Sequence, residues 1–212
     1  MTEENFKIHN LNIEQIQSEF DKVDESDDIG TIEFVEKYYD FLINYESTDI
    51  EKLEDISEIF SIYYSCLGIC NRWTDIITKR DRVIDFVNKL KDKREGYNEL
   101  YYNIEYVYSQ ALIEHGNDLK KAIQVLKKIH ELNPKDEYII LSLRQTKYSL
   151  RNKTYKVLLI ISLIIIFSSL ILRLLIDLKD YKIYTEIPWI LLIGIFLTQY
   201  IDNYKSQKIP SS

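Results

Sequence analysis

Residues Val157 to Ile176 read VLLIISLIIIFSSLILRLLI, a stretch whose single charge is Arg173 near its far end. A helix of about 20 mostly apolar residues matches a bilayer core about 30 Å thick. A second apolar run, IPWILLIGIFLTQYI from Ile187 to Ile201, follows after a short gap. Together the two runs predict transmembrane helices over about residues 156–177 and 186–202, closing a hairpin within residues 151–204 and leaving 205–212 as a polar tail. The second run is short for a full crossing, so a re-entrant or interfacial helix stays open there.

The basic residues assign sides to that hairpin. Arg144, Lys147, Arg151, Lys153 and Lys156 precede the first run, and Lys205 and Lys208 follow the second. In the gap, Lys179 and Lys182 are balanced by Asp177, Asp180 and Glu186. The positive-inside tendency then predicts an integral membrane protein with two spans and both termini cytoplasmic. The opening residues MTEENFKIHN contain no apolar signal region, which agrees with a cytoplasmic body. Ser162, Ser169 and Arg173 fall on roughly one face of the first run, and Gly194 and Thr198 form a small-xxx-small pair in the second. Both sets are candidates for membrane-helix packing.

Charge divides the rest of the chain. Residues 1–60 carry 18 acids and 4 bases, whereas residues 61–156 carry 12 acids and 18 bases. Two surfaces of opposite sign are electrostatically complementary. They are either independently solvated faces or an arm that docks on the body or on another copy. With five Gly and three Pro in 212 residues, the chain reads as helices joined by short turns.

Residues 1–30 form an acidic N-terminal arm, with one apolar-periodic patch (Ile8, Leu11, Ile13, Ile16, Phe20) ahead of the stretch Asp21–Asp28. A calcium loop does not fit that stretch, because starting at Asp24 puts Gly30 one position late and Val35 where Glu is required. From residue 31 to 150 the apolar periodicity is helical, with caps expected at Asp49 or Thr48 and at Asp118. The fold class is therefore all-α: antiparallel helical hairpins, as a solenoid or a bundle, followed by the two transmembrane helices.

The segment GNDLKKAIQVLKKIHELNP carries a small residue at Ala122, an apolar residue a turn later at Leu126 and a closing Pro134. The helix before it places Tyr108, Ser109 and Leu112 in register, and an earlier segment places Tyr64, Leu67 and Gly68 at similar spacing. These residues resemble the tetratricopeptide repeat, in which small residues let paired helices approach and large ones fill the seam. One extra residue in the turn departs from the strict spacing, and the earlier copy lacks the small residue and the proline. The resemblance implies a scaffold for protein–protein interaction.

Catalytic chemistry finds no foothold. His9, His115 and His130 have no metal-ligand spacing, and Cys66 and Cys70, one helical turn apart among apolar neighbours, read as buried thiols. No glycine-rich phosphate loop or nucleophile elbow occurs. The bases Arg72, Lys79, Arg80 and Arg82 are interrupted by Asp75, Asp81 and Asp85, which reads as a solvated helix face and not as a nucleic-acid stripe. No cofactor, metal or small-molecule substrate is expected. Tyr97, Tyr101, Tyr102, Tyr106 and Tyr108 crowd one helix, spread over more than one face, some as core and others, with Tyr97, Tyr101, Tyr102 and Tyr106 as candidates, as the lining of a partner-binding groove. The expected function is a membrane-anchored adaptor facing the cytoplasm, with protein partners or self-association and a lipid bilayer as its contacts. The alternative is an oligomerising effector whose hairpin perturbs the bilayer or forms a pore.

Overall fold

The computed structural model describes residues 12–24, 26–91, 93, 96–116, 118–176, 189, 192–201 and 204, leaving aside the side chains of residues 169, 170 and 172–176. Among the described residues all regular structure is helical, as expected. The elements are α1 (Ile13–Phe20), α2 (Asp28–Ile43), α3 (Ile50–Ile69), α4 (Trp73–Val87) ending in a 3₁₀ turn (Asn88–Leu90), α5 (Tyr97–Glu114), α6 (Leu119–Leu132) and α7 (Glu137–Ile176). The chain divides into two compact units, Met1–Ile139 and Ile140–Ser212. The division falls inside α7, earlier in sequence than the boundary expected near residue 150.

Local chemistry explains where the helices of the first unit start. Asn12 Oδ1 accepts from the Gln15 N–H at 2.9 Å while Gln15 Oε1 accepts from the Asn12 N–H at 3.2 Å, a reciprocal capping box. Asp27 caps α2 through the Gly30 N–H at 2.9 Å, so the acidic stretch uses this carboxylate to start a helix. Asp49 caps α3 through Glu51 N–H at 3.1 Å, and Asp118 caps α6 through Lys121 N–H at 3.0 Å. Between α3 and α4 the chain reverses at Asn71, which takes a left-handed φ of 56°. There the Arg72 N–H bonds to the Leu67 carbonyl at 2.8 Å and the Asn71 N–H to Gly68 at 3.1 Å, the paired bonds of a Schellman turn.

Short connections fold consecutive helices back on one another. α3 packs on α2, α4 and α5; α5 packs on α3, α4 and α6. The α3–α5 pair runs parallel: Glu54 Oε1 lies near Gly96 at one end, and Gly68 faces Val107 at the other. Adjacent hairpins thus lay their first helices parallel, as a helical repeat or an up-and-down bundle does. Of the residues singled out for repeat packing, Tyr64, Leu67, Ser109, Ala122 and Leu126 are fully buried, with Tyr108 and Leu112 nearly so. Gly68 marks a close approach, because a Cβ there would sit 3.2 Å from Val107 Cγ1. Pro134 is exposed beyond the end of α6.

In the second unit, Gln199 Nε2 donates to Asn152 Oδ1 at 2.9 Å, and Ser162 and Ile166 are buried one turn apart on α7. The Ser162 hydroxyl bonds back to the Leu158 carbonyl, and the Thr198 hydroxyl to Gly194. Among the described residues, a Cβ on Gly194 would meet nothing within 4 Å. The side chains of Ser169 and Arg173 lie outside the described residues. Large apolar side chains, among them Val157, Ile160, Ile164 and Phe167, face outward from α7. A surface of this kind is ordinarily covered by a partner of some form.

Among the described residues, however, no helix is long and apolar enough to cross a membrane. This corrects three expectations: the two transmembrane helices, the integral-membrane placement, and the cytoplasmic side given to both ends. The apolar stretch is no helix of its own but continues α7, whose earlier turns carry Arg144, Lys147, Arg151, Lys153 and Lys156.

Candidate functional site

One face of α3 is committed to the core, with Leu53, Ile56, Ile59, Phe60, Tyr63, Tyr64 and Leu67 buried. Its remaining stripe carries Glu54, Asp55, Glu58 and Ile62, spaced so that all lie along one side of the helix. That stripe lines two adjoining clefts. The first, about 590 Å³, lies between α1, α2 and α3 and is lined by Phe20, Asp21, Val23, Asp55, Glu58 and Ile62 among others. The second, about 300 Å³, lies between α3 and α5 and adds Glu54, Glu99, Leu100 and Asn103. The two share Glu58 and Ile62.

A third cleft of about 400 Å³ shares Glu99 and Asn103 with the second and reaches Tyr102, Leu132 and Asp136. The three make one groove across the parallel helices, with apolar patches between acidic side chains. Among its described lining residues there is no Lys or Arg. The crowding registers in Glu58, whose carboxyl is raised above its ordinary range, first by burial and then by Asp55, Glu54 and Glu99. Ile62, although large and apolar, is 45% exposed in the groove.

The four tyrosines singled out from the sequence do not form one lining. They fall into two pairs on different faces of α5. Tyr102 and Tyr106 stack at 6.4 Å, and the Tyr102 hydroxyl donates to the Asp136 carboxylate at the third cleft. That bond holds Asp136 below the usual carboxylate range, while burial and the same bond push the Tyr102 hydroxyl up. Tyr97 and Tyr101 pair at 5.7 Å elsewhere, with the Tyr97 hydroxyl donating to Asn88 at 2.8 Å. Burial, followed by Glu105, pushes the Tyr101 hydroxyl up to about 12. Of the four, only Tyr102 lines the groove, backed by Tyr106.

Arg72, Lys79 and Arg80 are not a solvated face, whereas Arg82 is exposed. Glu36 on α2 accepts from Arg72 at 2.9 Å and from Lys79 at 3.2 Å, and Lys79 also donates to the Tyr63 hydroxyl at 2.6 Å. Arg80 pairs with Glu105 of α5 and lies 5.1 Å from the centre of the Tyr108 ring. These cations are spent on holding helices together. The groove acids Asp55, Glu58 and Glu99 were missed as a site, although the helical spacing of Glu54, Asp55 and Glu58 was visible in the sequence.

No family model matches this chain, and no curated protein or solved structure matches it either. The groove therefore has to be read from its own chemistry. Its acidic side chains alternate with Phe20, Ile62 and Leu100, and it carries Asn103 and Tyr102 as hydrogen-bonding groups. Such a lining suits a peptide or helix that brings positive charge and some apolar contact. Among the described residues no group of His, Cys, Asp and Glu is placed to hold a metal ion.

Proposed function

We propose that the first unit is a helical-repeat adaptor that docks a Lys- or Arg-bearing segment of a protein partner along the groove of α3 and α5. The observation that carries this reading is the continuous acidic groove shared through Glu58, Ile62, Glu99 and Asn103. Parallel first helices of successive hairpins build concave binding surfaces in helical repeats, and the buried Ala122 and Leu126 and the close approach at Gly68 support that frame. The reading assigns no catalytic step to any residue.

The test is fluorescence anisotropy with the purified full chain, held in mild detergent to cover the apolar side chains of the second unit. Lys-rich, Glu-rich and neutral peptides of equal length are the probes. The Lys-rich peptide is expected to bind most tightly and to weaken with salt, because exposed charges are screened over about 8 Å at physiological ionic strength. Asp55→Lys with Glu58→Lys is expected to weaken it at least about tenfold, since like charges placed together at an interface cost several kcal/mol. Equal affinity for all three peptides, or indifference to the reversals, would remove the reading.

A further inference from the structure

We infer that the segment this groove takes is the basic face of α6 from a second copy of the same chain. The inference rests on the groove reading above and names its occupant.

α6 buries Leu119, Ala122, Val125, Leu126 and Ile129. Its opposite face exposes Lys120, Lys127 and Lys128, with Gln124 and Glu131 between or beyond them. That face is the chemical counterpart of the groove: a helix carrying a cationic stripe against a helical wall carrying carboxylates. The wall it meets carries Glu54, Asp55 and Glu58 on α3 and Glu99 on α5.

The contact has to come from another molecule. α6 is fixed on α5 by its buried face. The lysines point the other way, so they cannot turn into the groove that α5 itself walls. Groove and stripe are different patches of one surface, which makes the contact head-to-tail. Such contacts close into rings or extend as filaments, according to the rotation between copies.

Sedimentation velocity of the full chain across concentration and salt tests this, with circular dichroism checking that each variant is folded. Two reversed chains are needed: Asp55→Lys with Glu58→Lys, and Lys120→Glu with Lys127→Glu and Lys128→Glu. Each alone is expected to raise the concentration needed for assembly by at least about tenfold. A chain carrying both reversals regains assembly, because acid and base have changed places, and an equimolar mixture of the two singly reversed chains forms mixed assemblies. A general loss of folding or a contact made elsewhere would not be rescued in this way. Glu58→Gln, which removes a charge without reversing it, is expected to shift assembly in the same direction by less.

Assembly indifferent to either reversal, or a combined variant no better than the single ones, overturns the inference. If the Lys-rich peptide still binds the groove in that case, the groove reading stands and only its occupant is wrong. If the peptide does not bind either, the groove reading has failed first.

Discussion

Arg80 of α4 and Glu105 of α5 pair inside the first unit, where the carboxylate side chain is only 1% exposed and the guanidinium side chain 20%. Arg80 also bonds Asp81 at 2.8 Å and faces the Tyr108 ring, so one side chain ties α4 to the middle of α5. Burying two charges costs free energy that only good geometry recovers, and removing one partner strands the other. Arg80→Leu is therefore expected to destabilise the chain by about 3–5 kcal/mol in urea unfolding. Arg80→Leu combined with Glu105→Leu is expected to recover most of that loss. A double variant as unstable as the single one would mean that the pair is not what holds the helices.

The turn at Asn71 gives a smaller effect of predictable sign. A left-handed backbone costs a residue with a Cβ roughly 1–2 kcal/mol, and Asn tolerates it better than most. Asn71→Ala is expected to lose about 1 kcal/mol, while Asn71→Gly is neutral or stabilising. Thermal melts of the two variants side by side decide it, and equal melting temperatures would count against a strained turn.

Glu58 makes stability fall as pH rises. Its folded-state carboxyl is raised above the ordinary 4.5, by burial first and then by Asp55, Glu54 and Glu99. The folded state thus holds the proton more firmly than the unfolded chain, and stability drops as pH climbs from the ordinary value through the raised one. Glu58→Gln removes that cost and is expected to stabilise the chain at about pH 7, with the gain gone by about pH 3.5. Solvent screening keeps the gain below about 1 kcal/mol, since the side chain is exposed. Urea titrations at both pH values check it; a variant less stable at neutral pH contradicts it.

The two thiols separate by reactivity. Cys66 is buried, and burial, followed by Asp28, pushes its thiol up to about 11, whereas Cys70 is half-buried. Thiolate is the reacting form, so at neutral pH Cys66 is nearly inert. Maleimide labelling of the folded chain is expected to modify Cys70 alone, with Cys66 reacting only after unfolding. Equal labelling rates would show that the α3 core opens readily.

Much of the first unit is legible in the sequence because its signals are local. Asp49 and Asp118 announce helix starts by residue type, and the spacing of Leu53, Ile56, Phe60, Tyr63 and Leu67 defines a core face before any neighbour is known. The pairing of Glu36 with Arg72 and Lys79 depends on α2 lying beside α4, which no local pattern states. Which tyrosines of α5 reach the groove was hidden for a related reason. Positions 97 and 101 share a side of the helix, and 102 and 106 share another, but which side meets a groove is set by packing on α3, α4 and α6. The apolar stretch at Val157 was legible as apolar; the structure makes it the continuation of a helix begun among the charged residues from Glu137 to Lys156.

Gly68 bears on the groove from outside it. A Cβ there would press Val107 at 3.2 Å, so α3 and α5 approach closely at a point where a side chain is missing. Glu54 beside Gly96 lies about 20 Å away along α3. Position 68 lines none of the three clefts, yet a side chain there would have to displace Val107 or part α3 from α5, and so reach the groove without touching a carboxylate.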